Sequence, residues 1–125
     1  MTAVPLLTPE LAERLRANAS VPDTDHMPVV KLFNPAGAGT WLAVELDEDG
    51  DTLFGLADLG FGCPELGSFS LAELQALRLP FGLSIERDQW FSTAFPLSVW
   101  AETARSAGSL MAAEQLLASA RAAGT

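Results

Sequence analysis

The feature that most restricts the possible folds of this 125-residue chain is a pair of apolar segments separated by an acidic turn. Residues 40–46 and 53–59 are mainly apolar, and residues 47–51 between them carry four carboxylates and one glycine. A short polar turn with a glycine between two apolar runs is typical of a β-hairpin. Residues 29–33 form a third short run, so the sequence predicts a meander of three antiparallel strands.

Helix signals lie on both sides of the predicted hairpin. Thr8 and Pro9 supply a hydroxyl cap and a first helical proline, so we expect an N-terminal helix that ends near Asn18. Ser70 and Glu73 have the spacing of a capping box in front of an apolar run. This pair predicts a short central helix.

The C-terminal part of the chain is expected to be helical. Residues 97–107 have a helical pattern that Gly108 stops, and Ser109 can cap a last, alanine-rich helix. We interpret residues 1–105 as one domain and residues 106–125 as a helix appended to it. Because the last helix is apolar over most of its circumference, it either packs on its own domain, which we favour, or forms a homo-oligomer.

The predicted fold class is therefore α+β. It has a small antiparallel sheet of about three to five short strands, packed with an N-terminal helix, a short central helix and one or two C-terminal helices. Residues 83–86 are a candidate for an additional short strand, and residues 90–95 for either another short strand or an extended segment. Residues 60–66 are interpreted as a glycine-rich loop, because the glycines favour a tight bend.

The charge of the chain is unevenly distributed. The formal net charge is −9, and all of it arises between Asp23 and Asp88, since the two flanking parts are each neutral. Such a region repels nucleic-acid phosphates and accelerates encounter with a basic protein surface. Solubility alone would also explain the charge. We expect a protein partner with a basic surface, no membrane contact and no direct contact with nucleic acid.

From the composition we expect a cytoplasmic protein. A single cysteine excludes an internal disulfide and argues for a reducing compartment. The N-terminal sequence lacks the basic start and long apolar run of a signal peptide. No apolar stretch approaches the roughly 18 residues of a membrane span.

No motif for a metal or a cofactor is complete. Counted from Asp47, the glycine of the acidic turn falls at position 4, whereas a calcium-binding EF-hand loop needs it at position 6. The Gly-x-Gly at residues 60–62 lacks the third glycine and the following helix of a nucleotide-binding loop. His26 and Cys63 are each the only residue of their type, which is too few for zinc. We predict neither a metal nor a cofactor.

Four carboxylates are weak candidates for acid/base catalysis. Asp58 lies inside an apolar run and Glu65 in a tight loop, so burial could separate their pKa values from those of Glu86 and Asp88. Arg87 lies between the last two, however, and a structural ion-pair network explains them equally well. We therefore leave enzymatic activity open and favour a protein that is not an enzyme.

The tryptophans are candidates for contact with a partner. Trp41 and Trp90 could stack on bases, but such platforms are accompanied by Lys and Arg, and residues 39–77 contain neither. We therefore favour an aromatic core for the tryptophans, and we expect any tryptophan that is exposed to anchor a protein partner. The carboxylates of the acidic turn complete the set of partner-binding candidates: Asp47, Glu48, Asp49 and Asp51.

Several motifs, in order along residues 6–105, resemble one bacterial family, called domain of unknown function 2958. They include PVVKLFNP at residues 28–35, FGLxDLGxGxPELG at 54–67, SLxEL at 70–74 and LxIERD at 83–88. The resemblance implies a small protein of plasmids and integrative elements, near antirestriction and conjugation functions. It implies no catalytic residues.

Three hypotheses follow, in order of preference. The first is an acidic protein–protein interaction module linked to conjugation, antirestriction or anti-defence. The second is a small enzyme, or the remnant of one, that uses clustered carboxylates. The third, weaker hypothesis is a protein that binds single-stranded nucleic acid.

Overall fold

The computed structural model describes residues 4–123 and contains one five-stranded sheet. Every neighbouring pair of strands is antiparallel, and the order across the sheet is β4-β3-β2-β1-β5. The strands are β1 (Val30–Phe33), β2 (Thr40–Leu46), β3 (Thr52–Asp58), β4 (Glu65–Ser70) and β5 (Glu86–Arg87). The predicted hairpin is the β2–β3 pair at the centre of this sheet.

Four α-helices cover the sheet in the described part of the chain, together with a short 3₁₀ turn at Pro80–Gly82. The helices are α1 (Pro9–Ala19), α2 (Leu71–Ala76), α3 (Leu97–Ala107) and α4 (Leu110–Ala123). The predicted α+β fold class is therefore confirmed.

The predicted helix ends are formed as the sequence indicates. Thr8 Oγ1 accepts a hydrogen bond from the Leu11 amide at 3.2 Å, and Ser70 Oγ accepts one from the Glu73 amide at 3.2 Å. Gly108 adopts a left-handed conformation, with φ 84°, between α3 and α4. These local signals are reliable because Thr8 and Ser70 each bond within their own turn and because glycine adopts a positive φ at no steric cost.

Two hydrophobic cores lie on opposite faces of the sheet. The first core contains residues of α1, α2 and the sheet, with Leu15, Leu32, Trp41, Leu53 and Leu74 among them. The second core lies under α3 and α4, with Leu42, Leu56, Trp100, Leu110 and Leu117 among them. Strand β2 is buried at nearly every position because helices cover both faces of the sheet.

Helix α4 packs on its own domain in this arrangement. Leu110, Ala113 and Leu117 are buried in the second core, whereas Met111 and Leu116 are exposed. The face that carries the buried residues is therefore occupied within the chain.

The strand predictions need three corrections. Residues 60–66 are not wholly a loop, because β4 begins at Glu65 and pairs with β3. The strand expected at 83–86 is reduced to β5, and residues 90–95 form no strand. The outermost strand β5 ends at Arg87, and the Asp88 amide that follows still donates to the Lys31 carbonyl of β1 at 3.0 Å.

Candidate functional site

The acidic turn between β2 and β3 is held rigidly by its own carboxylates. Asp49 Oδ1 accepts hydrogen bonds from the amides of Asp51 and Thr52, each at 2.8 Å, and Asp49 Oδ2 accepts one from the Thr52 hydroxyl at 2.6 Å. The Thr52 hydroxyl, followed by the two amides, lowers the pKa of Asp49, because these bonds stabilise the charged form. Asp49 is therefore ionised at neutral pH.

Asp51 joins the acidic turn to the start of α2. Its Oδ1 accepts from the Ala72 amide and its Oδ2 from the Ser70 hydroxyl, both at 2.7 Å. Its carbonyl oxygen accepts from the Leu71 amide at 2.9 Å. A carboxylate at this position satisfies helix amides that have no partner within the helix. Asp51 is thus a structural residue as well as a negative charge.

Asp47 and Glu48 differ from the other two carboxylates of the turn. Both are exposed, and within residues 4–123 neither side chain forms a hydrogen bond or an ion pair. The Arg16 guanidinium of α1 comes close to Gly50 without forming an ion pair with the turn. Asp47 and Glu48 are therefore the carboxylates of the turn that can meet a partner without a structural cost.

Negative charge is concentrated in the half of the sheet that contains β2, β3, β4 and α2. Residues 39–77 contain no lysine or arginine, and they carry eight carboxylates: Glu45, Asp47, Glu48, Asp49, Asp51, Asp58, Glu65 and Glu73. The ion pairs found among residues 4–123 lie elsewhere and involve Lys31 with Asp88 and Glu114. Within residues 4–123 no carboxylate of this acidic half forms an ion pair, and the Arg16 guanidinium lies near its turn at Gly50.

Asp58, the first catalytic candidate, is a buried structural residue. It is 2% exposed, at the end of β3. Its Oδ1 accepts from the Gly60 amide at 2.9 Å and its Oδ2 from the Leu110 amide at 2.7 Å. The side chain therefore joins the end of β3 to the first residue of α4, where a negative charge is favourable.

The other catalytic candidates lie apart from Asp58. Glu65 is directly opposite Ala57, so its side chain points to the sheet face opposite to that of Asp58. Glu86 is on β5, at the other edge of the sheet from Glu65. Asp88 Oδ2 lies 3.7 Å from Lys31 Nζ. The four carboxylates do not form the shared acid/base site that the enzyme hypothesis requires.

The tryptophans differ sharply in exposure. Trp41 is 6% exposed within the first core, so it has no surface to offer a partner and leaves the set of partner-binding candidates. Trp100 is 3% exposed, and its indole N–H donates to Thr93 Oγ1 at 3.1 Å. Trp90, in contrast, is 92% exposed.

Trp90 borders a cleft of about 450 Å³ between residues 88–95 and α4. Phe91, Phe95 and Leu117 form apolar walls, and Arg121 contributes a cation. This volume lies within the range of roughly 300–1,000 Å³ that small-molecule sites occupy. Aromatic and charged groups therefore meet in this cleft.

An ion-pair cluster borders the same cleft. Lys31 Nζ lies 2.7 Å and 3.0 Å from the two carboxylate oxygens of Glu114, and Asp88 completes the cluster. Sequence reasoning missed Lys31 and Glu114, which are 83 residues apart, because no local pattern links β1 to α4. Trp90 and Asp88 were the residues singled out from the sequence that lie in this region.

His26 and Cys63 form local contacts. The His26 ring donates to the Val21 carbonyl at 3.0 Å, and Cys63 Sγ lies 3.8 Å from the Phe61 carbonyl oxygen. Among residues 4–123, no three His, Cys, Asp or Glu side chains form a group able to hold a metal ion. The helices of this part of the chain are also too short or too polar to cross a bilayer.

Fold and surface together define a small α+β domain with one strongly acidic half and a separate aromatic cleft. Residues 6–111 match the family described as protein of unknown function (DUF2958). Because the match covers most of the chain, the protein belongs to this family. Searches of curated proteins and of solved structures gave no match.

Proposed function

We propose that this chain is an acidic protein-interaction module that binds a basic segment of a partner protein. The observation that carries the proposal is the segregation of charge: residues 39–77 hold eight carboxylates, no cation and no ion pair. A protein that needed acidic residues only for solubility would gain as much from carboxylates interspersed with cations. A field of one sign over half of a small domain instead favours encounter with an oppositely charged surface.

The acidic turn supports this function because it is ordered before any partner binds. Asp49 and Asp51 are held by hydrogen bonds to the turn and to α2, and they position the exposed Asp47 and Glu48. A preordered charged loop loses little conformational entropy on binding. The turn therefore presents carboxylates at defined positions to a basic partner.

The biological setting is the finer part of the proposal. We infer that the partner belongs to the conjugation, antirestriction or anti-defence machinery of a mobile genetic element. The support for this setting is the family resemblance alone. The charge argument requires only that the partner be basic, which suits proteins that handle nucleic acid.

Charge reversal at the tip of the acidic turn tests the proposal. Asp47→Lys with Glu48→Lys is expected to weaken partner binding about tenfold at low salt, because close opposite charges are replaced by like charges. The matched control is Glu86→Lys with Glu102→Lys. It changes the net charge by the same amount, but on the edge strand β5 and on α3.

The measurement is capture from a lysate of the host organism, followed by titration of the purified partner at low and high salt. The proposal expects binding that falls with salt, that the turn variant loses and that the control variant keeps. Equal loss of binding in both variants would mean that net charge, and not the position of the acidic turn, determines the affinity. Unchanged binding in both would contradict the proposal.

A second candidate function is binding of a small aromatic ligand, and the exposure of Trp90 beside the cleft favours it. Lys31 forms ion pairs with Asp88 and Glu114, whereas Arg121 forms none within residues 4–123, so Arg121 is the cation that could bind an aromatic carboxylate. Phenylacetate is expected to quench Trp90 fluorescence with saturation in the roughly millimolar range, typical of a ligand this small.

Phenethylamine, which has the same ring and the opposite charge, is the matched control for this experiment. It is expected to bind at least several-fold more weakly. Trp90→Phe removes the reporter, and the remaining Trp41 and Trp100 are buried. Equal binding of the two probes would count against a ligand in this cleft, whereas quenching that survives in Trp90→Phe would come from Trp100, which also lines the cleft.

A further inference from the structure

The outer edge of β4 is a strand edge without a partner. β4 lies at one end of the sheet and pairs with β3 over six residues without a register shift. The edge strand at the other end, β5, has only two residues. Within the described part of the chain, β4 is thus the edge long enough to receive a further strand.

The hydrogen-bond pattern identifies the backbone groups that this edge offers. The Leu71 amide donates to the Asp51 carbonyl, so Thr52 and Ser70 form a non-hydrogen-bonded pair of the antiparallel ladder. The alternation along β4 then directs the N–H and C=O groups of Leu66 and Ser68 away from β3. No other group in residues 4–123 bonds to these outward groups.

The usual protections of an edge strand are absent from β4. Exposed edges are normally blocked by lysine, proline, a bulge or a covering element. β4 has the sequence ELGSFS, without lysine or proline, and its register is continuous. A Cβ atom built on Gly67 meets nothing within 4 Å, so the face of the sheet to which it points is open at the middle of the strand.

The side chains beside this edge provide an apolar contact. Leu66 is opposite Leu56, so Leu66 and Phe54 lie on the same face of the sheet. Leu66 is 41% exposed and Phe54 is 37% exposed. An incoming strand could therefore bury an apolar side chain beside them while its backbone bonds to β4.

We propose that β4 accepts an extended, basic segment of the partner protein as a sixth strand of the sheet. This inference rests on the proposed function and specifies how the partner binds. Charge complementarity selects the occupant: Glu65 lies at one end of β4, and Glu73 and the acidic turn lie near the other. A second copy of this chain would bring two such acidic edges together. Strand addition supplies affinity through main-chain hydrogen bonds and specificity through alternate side chains.

Ser68→Pro is the decisive variant. Proline removes the outward N–H of Ser68, but it costs no bond to β3, and the preceding Gly67 has no Cβ to clash with the ring. The matched control, Ser68→Ala, keeps the N–H. The probe is an alternating lysine–valine peptide. We expect wild type and Ser68→Ala to bind it equally and Ser68→Pro to bind it about tenfold more weakly.

Amide hydrogen exchange measured by NMR gives a readout at single residues. In the free protein the Leu66 and Ser68 amides are expected to exchange fast, and those of Gly67 and Phe69, which face β3, slowly. The peptide should protect Leu66 and Ser68. Peptides methylated on alternate backbone nitrogens carry the same charge, so one methylated set should lose binding and the other should retain it.

The outcomes separate the two proposals. Strand addition would be overturned if binding is salt-sensitive but is weakened neither by Ser68→Pro nor by methylation of either set of peptide nitrogens. The proposed function as an acidic interaction module would then still stand. Absence of peptide binding at low salt would overturn both. Self-association of the chain that protects Leu66 and Ser68 would overturn the assignment of a basic partner, because the occupant would then be a second copy.

Discussion

Alanine in place of Gly55 is expected to lower the free energy of unfolding by about 3 to 5 kcal/mol, which is large for one methyl group. A Cβ atom at Gly55 would lie 1.8 Å from the Leu42 carbonyl oxygen and 2.8 Å from its carbonyl carbon. Leu42 belongs to the central strand β2, which has strands on both sides and helices on both faces. The backbone at Leu42 therefore has no space into which it can withdraw.

Gly67→Ala is the matched control, because Gly67 lies directly opposite Gly55 in the β3–β4 ladder. A Cβ atom at Gly67 meets no atom within 4 Å, and the substitution is expected to change stability by less than about 1 kcal/mol. Urea denaturation followed by circular dichroism measures both variants. Similar midpoints for the two alanine variants would contradict the close approach of β2 and β3 at Gly55.

The contrast between the strands explains how far the sequence could predict the sheet. The β2–β3 hairpin was predictable because two apolar runs and a glycine-containing turn are adjacent in sequence. β4 was missed because its sequence, ELGSFS, has a glycine and two serines, which are uncommon in isolated strand patterns. β4 forms a strand because its backbone pairs with that of β3, and the sequence of the β4 segment alone does not reveal this pairing.

The face of each β2 side chain also depends on an unpredicted detail. The β2–β3 register shifts between Ala43 and Glu45. Such a bulge changes which face the following residues point to. Leu42 and Val44 lie in the second core, whereas Leu46, two residues later, lies in the first. No residue type in this segment signals the shift.

Among the surface features, too, those formed by residues close in sequence were predictable, and those formed by residues far apart in sequence were not. The acidic turn was predictable as a charged surface loop, because all its carboxylates and its glycine are within five residues of one another. The Trp90 cleft was not, since it requires α4 to lie beside residues 88–95. The burial of Asp58 was anticipated from its apolar neighbours. Its contact with Leu110, 52 residues away, was not.

Removal of the Asp58 side chain is expected to produce the second large effect. Asp58→Ala should lower the free energy of unfolding by about 2 to 4 kcal/mol, because the buried Leu110 amide loses its acceptor and the start of α4 loses a negative charge. The Gly60 amide, which also loses its acceptor, lies in an exposed loop and can bond to water. The loss should therefore be concentrated at α4.

Glu65→Ala is the control for Asp58→Ala, because Glu65 is an exposed catalytic candidate without a hydrogen bond from its side chain within residues 4–123. It is expected to change stability by less than about 0.5 kcal/mol. Urea denaturation gives the two values, and hydrogen exchange should show faster opening of α4 in Asp58→Ala alone. Unchanged stability of Asp58→Ala would remove the structural explanation for its burial. A buried carboxylate that does not stabilise the fold would then need a functional explanation. Asp58 would again be the strongest catalytic candidate of the enzyme hypothesis.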